Sequence, residues 1–146
     1  MAENEAWVPA SEATCWAVVA DPRSYAFWVI GADDIEGVTG DWPSPGATFH
    51  HAQGSAPLRL HDTTTVLECE PPRLLRLEVR ARPLFVGIVT LTFTPHDGGT
   101  IIRIGEEATG GLAGIPPSFT TDPFIRLRNT ESVRRLAAMA WAREHV

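Results

Sequence analysis

The chain has 146 residues and a mass of 15.9 kDa, with 44% hydrophobic and 21% charged residues. That is enough for a single domain with its own core, and it excludes a disordered chain. The formal net charge is −6, from 18 acids against 12 bases, every one of them arginine, so the basic excess of a nucleic-acid binder is missing.

The acidic start Met1-Ala2-Glu3-Asn4-Glu5 has neither a basic n-region nor an apolar h-region, and no stretch approaches the roughly 18 apolar residues of a membrane span. Cys15 and Cys69 stand far apart with no CxxC or His-rich spacing. They read as reduced, buried thiols of a cytoplasmic protein.

In chain order, Ala2 to Val8 reads as an edge strand that Pro9 ends. Ser11 is placed to cap a helix over Ala13 to Ala20, and Asp21-Pro22 starts a second short helix over Arg23 to Val29, which Gly31 stops. Strands follow at Ile35 to Thr39, Thr48 to Gln53 and Leu58 to Glu70, separated by turns at Trp42 to Gly46 and Gly54 to Pro57. From Leu74 to Ala81, Leu75, Leu77 and Val79 alternate with Arg76, Glu78 and Arg80, the period of a half-buried antiparallel strand.

Val86 to Thr94 and Thr100 to Ala108 flank a hairpin connection at Pro95 to Gly99. A loop is expected around Gly110-Gly111 and Pro116-Pro117. Asp122-Pro123 then opens a long amphipathic helix, whose stripe is Ile125, Asn129, Val133, Leu136 and Ala140. One strand, two short helices, six hairpin-linked strands and a long helix make an α+β protein with an antiparallel sheet, and a ligand space is expected between sheet and helix.

This order, with Val8-Pro9-Ala10-Ser11 leading into Cys15 to Pro22, Tyr25-Ala26-Phe27-Trp28, Trp42-Pro43 before Gly46, Glu106-Glu107, and Arg128 to Ser132 before Leu136, resembles the START-like helix-grip fold of the SRPBCC superfamily. The resemblance spans the whole chain and points to the polyketide cyclase/dehydrase-like branch. It implies a curved seven-strand antiparallel sheet around a long C-terminal helix, and a hydrophobic ligand of lipid, polyketide or aromatic type. The superfamily hosts carriers, cyclases and subunits without chemistry, and shares no catalytic motif that transfers residue by residue. A lipocalin-like barrel would leave the two short helices without a role.

Glu106 shares strand parity with Ile102 and Ile104, so isoleucines facing the cavity bring Glu106 inward with them. A carboxyl group among apolar walls can serve as general acid or base. Solvation or pairing with an arginine is the plainer alternative. His50 and His51 point to opposite faces, so at most one of them joins Glu106 on a cavity wall; His61 lies on the next strand.

Asn129 can bond a ligand oxygen or a backbone group of the sheet. With Trp28, His51, Phe85, Ile102, Ile104, Ile125 and Val133 it completes the expected ligand-binding set. The arginines around Arg126 and Arg128 read as a solvated helix face. No metal-ligand spacing, dinucleotide, P-loop or GxSxG motif occurs, so neither metal nor cofactor is expected. The leading reading is a binder of a hydrophobic or amphipathic small molecule, with a cyclase or dehydratase using Glu106, or a non-catalytic partner-binding module, as alternatives. A homodimer is left open.

Overall fold

A computed structural model describes residues 2–29, 34–53, 59–81, 85–110 and 117–145. The side chains of 2, 53, 81, 85, 110 and 117–126 lie outside that description, and so do the expected stop at Gly31, the turn over 54–57 and the loop at 111–116. The seven strands are β1 (Ala2–Val8), β2 (Asp34–Thr39), β3 (Thr48–Gln53), β4 (Leu60–Glu70), β5 (Leu74–Ala81), β6 (Phe85–His96) and β7 (Gly99–Gly110). They form one antiparallel sheet in the order β1-β7-β6-β5-β4-β3-β2. The helices are α1 (Glu12–Val19), α2 (Tyr25–Trp28) and α3 (Pro117–His145). With α3 packed on β1 and β7, the architecture is a helix-grip arrangement.

Local chemistry explains the joints. The Ser11 hydroxyl caps α1 by accepting from the Thr14 N–H at 3.1 Å. The C-terminal carbonyls of α1, which have no partner inside the helix, are met by side chains. Ser24 Oγ donates to the Val18 carbonyl at 2.6 Å, and Tyr25 Oη and Trp42 Nε1 donate to the Val19 carbonyl at 2.9 and 3.1 Å. Asp21 accepts from the Arg23 N–H at 3.0 Å, so the expected second helix splits into a 3-10 turn at Pro22–Ser24 and the single turn α2. The far end of α3 is tied to α1, since Glu144 accepts from the Ser11 N–H at 2.8 Å and from the Thr14 hydroxyl at 3.0 Å.

Two further sequence expectations change. The long helix starts at Pro117, six residues ahead of Pro123. Proline lacks only the N–H that a first turn leaves unpaired, so Pro117 fits a helix start, and Pro123 forfeits one bond inside the helix. Cys69 is half-buried where Cys15 is fully buried; burial pushes the Cys15 thiol up to about 11, as befits packing and not a nucleophile.

The β6–β7 hairpin turns on Asp97 and Gly98, with φ of 48° and 75°, the left-handed pair of a two-residue type I′ turn. Gly99 follows where β1 comes closest. A Cβ there would lie 2.3 Å from the Val8 carbonyl oxygen and 2.9 Å from the Trp7 ring.

Candidate ligand-binding site

The sheet register assembles one cavity. Phe49, Thr64 and Val79 stand opposite one another across β3, β4 and β5, and Leu77, Val89 and Glu106 across β5, β6 and β7. All six line the cavity together with His51 and Ile104, so five strands wrap around it. Tyr25, Trp28 and Val29 close it from the α2 side, and Arg128, Asn129 and Ser132 from α3. The aromatic wall is tight: Tyr25 lies 4.8 Å from Trp28 and 5.0 Å from Phe49 between ring centroids. The space open to the centre of a water molecule is about 60 Å³, where about 10–15 Å³ holds one water.

One wall is charged. Glu106, 2% exposed, accepts on Oε2 from both the Arg128 guanidinium and the Asn129 amide, the latter at 2.9 Å. The carboxylate is therefore one half of a buried ion pair, not a lone acid among apolar side chains. Arg128 does not lie on a solvated face; its side chain is 21% exposed and lines the cavity. The signal for it was the helical spacing of Arg128 to Ser132, which puts both on one face (i, i+4) beside Asn129.

Of the two adjacent histidines, His51 is the buried one and stacks edge-on to Phe49 at 5.6 Å, while His50 is exposed near Thr39. His61 is also exposed and bonds Glu36 at 2.8 Å. Glu106 and His51 line the same cavity from strands that β4, β5 and β6 separate, about 19 Å along the sheet at its usual spacing. They reach the cavity from opposite sides.

Trp28, His51, Ile104, Glu106 and Asn129 thus line the same space. Ile102 and Val133 do not; both are buried in the core. Ile102 sits opposite Phe93, and Trp16 of α1 packs on Phe93 at 6.2 Å, which fills that end of the sheet. The side chains of Phe85 and Ile125 are outside the described residues. Tyr25, Phe49, Thr64, Leu77, Val79 and Val89 join the wall without having been singled out, because alternation gives a strand's face but not which part of that face stays uncovered.

Burial pushes the His51 imidazole below its ordinary value of 6.5, against the smaller opposing effects of a Thr63 backbone hydrogen bond and the Asp62 charge. The folded state thus binds fewer protons than the unfolded state as pH falls below 6.5. Stability should be complete above that pH, fall as pH drops from 6.5 towards the depressed folded value, and level off below it. His51→Phe should flatten this part of the profile in urea titrations across pH; an unchanged slope would assign it to another group.

The model of a protein family described as polyketide cyclase / dehydrase and lipid transport matches residues 2–140. The chain belongs to this family. A search of curated proteins returned no match. Among solved structures, Ara h 8.0201 superimposes with a TM-score of 0.74 at 13% identity, covering 96% of both chains. CalU16 from Micromonospora echinospora gives 0.66 at 22% identity, over 94% of this chain and 74% of the other. The di-domain ARO/CYC StfQ from the steffimycin biosynthetic pathway gives 0.72 at 13% identity, over 99% of this chain. The chain spans about half the length of StfQ, 51%. At these identities the likeness is one of fold. Among the described residues, no helix is long and apolar enough to cross a membrane.

Proposed function

We propose that the protein binds a small amphipathic molecule between its sheet and its C-terminal helix. The apolar part of the ligand rests on Trp28, Phe49, Val79 and Ile104, and its oxygen atoms meet Arg128, Asn129 and His51. The observation that carries this reading is the Glu106–Arg128 pair, buried on the wall of a cavity otherwise mostly aliphatic and aromatic. Such a pair adds little net stability, and well-packed apolar residues of the same volume would serve folding as well or better. Its use is to orient a ligand, as a few polar groups do in a mostly apolar site. Each ligand methylene buried there contributes about 0.8 kcal/mol. The family description supports ligands of lipid or polyketide type; an aromatic ligand and a cytoplasmic location belong to the same reading.

A second reading is proton transfer in a cyclisation or dehydration, favoured by a neutral His51 facing the cavity from the side opposite Glu106. Native mass spectrometry of the purified protein, set against its denatured mass, tests the first reading. A retained organic mass of amphipathic character is expected. A clean mass, with no change in tryptophan fluorescence on adding fatty acids or aromatic polyketides, would reject it. Glu106→Gln separates the two readings: binding kept and turnover of a linear poly-β-keto thioester lost supports proton transfer, and unchanged turnover removes Glu106 from the chemistry.

A further inference from the structure

On the outer side of α2 a second concavity runs between that helix and α3, lined by Val18, Asp21, Arg23, Phe27, Met139 and Arg143, with the Ser24 hydroxyl already bonded to Val18 and Asp21. Among the described residues it shares no lining residue with the cavity, and about 140 Å³ of it is open to the centre of a water molecule.

Its two arginines differ from the others. Every other arginine whose side chain is described reaches a carboxylate, from Arg59 with Asp34 to Arg134 and Arg135 with Glu131. Among the described residues Arg23 and Arg143 reach none. A helix dipole accounts for one cation in the last turn of α3. It does not account for a second cation, from the Pro22–Ser24 turn, in the same groove as a phenylalanine that is 68% exposed.

We infer that this groove is a binding site for a monoanionic amphiphile, a carboxylate carrying an alkyl or aryl tail. The charge balance sets the class. Two guanidiniums and the Asp21 carboxylate leave one net positive charge, and Asp21 Oδ1 is already engaged by the Arg23 N–H at 3.0 Å. A carboxylate has two oxygens for two guanidiniums, and charge-assisted bonds of that kind are the strong ones. The tail lies on Phe27 and on Met139, whose thioether adapts to irregular apolar partners. This site does not depend on the ligand proposed for the cavity.

The chain contains two methionines, Met1 and Met139, so labelling methionine methyls with carbon-13 gives one reporter inside the groove. Octanoate should shift the Met139 resonance saturably, and octanol should do so far more weakly. Arg23→Gln/Arg143→Gln, which removes both charge-assisted bonds, should weaken octanoate by about 100-fold, roughly tenfold for each, with the melting temperature unchanged because both side chains are exposed. Val79→Trp, which fills the cavity, should leave the titration as it was. A shift indifferent to the arginine substitutions, or lost on filling the cavity, would overturn the inference. So would an equal response to inorganic phosphate, which would mark a simple anion site, or a response to phosphatidylglycerol vesicles alone, which would mark a membrane surface.

Discussion

Glu106→Leu should destabilise the protein by about 3 kcal/mol, and Glu106→Leu/Arg128→Met should recover all but about 1 kcal/mol of that. The single change takes the carboxylate away from a guanidinium whose side chain keeps only 21% of its exposure, and it removes the acceptor of the Asn129 amide as well. Both donors then stay desolvated without their anion. Removing both charges replaces the pair by apolar side chains in a wall already made by Val89, Leu77 and Ile104. The residual exposure of Arg128 is the reason for choosing the lower end of the usual range. Urea unfolding of the wild type, both single variants and the double variant closes the cycle, and the double variant should lose less than the sum of the two single losses, as for groups in direct contact. A single variant within about 0.5 kcal/mol of wild type would mean that the pair is not held together in the folded protein. The double variant should fold and still lose its amphipathic ligand, which separates stability from binding.

Gly99→Ala should cost about 3 kcal/mol, at the upper end of what overpacking does. The new methyl would meet the Val8 carbonyl oxygen at 2.3 Å, and backbone cannot rotate out of the way. Trp7 cannot readily yield either, because its Nε1 donates to the His96 carbonyl at 2.8 Å. Relief requires β1 to part from β7, and α3 packs on both strands. Gly98→Ala is the control. Nothing lies within 4 Å of its added Cβ, so it carries only the left-handed backbone penalty, about 1 kcal/mol. Thermal unfolding should place the Gly99 variant about 6–12 °C below wild type and the control much closer. Equal losses for the two would refute the close approach of β1.

Much of this molecule follows from short-range rules. Leu75, Leu77 and Val79 alternate with charged residues, and one face of β5 is accordingly buried or half-buried. Asp97-Gly98 is the pair that a two-residue hairpin prefers, and it forms one. Ser11 caps α1 as its side chain allows. Strand order, helix order and the inward parity of Glu106 rest on such local periodicities, as does the difference between buried His51 and exposed His50.

What the sequence by itself determined is therefore the set of elements, their order and which face of each strand turns inward, because periodicity and turn chemistry act over a few residues. Tertiary structure alone decided which inward residues border a cavity and which are covered. Ile102 and Ile104 share one strand face, yet Trp16 and Phe93 fill the space at the first and leave the second open. It also decided that Arg128, on an arginine-rich helix, turns to a carboxylate 22 residues away, and that Arg23 and Arg143 face one groove. These outcomes depend on how helices lie on a curved sheet, and that geometry is set by the packing of the whole core.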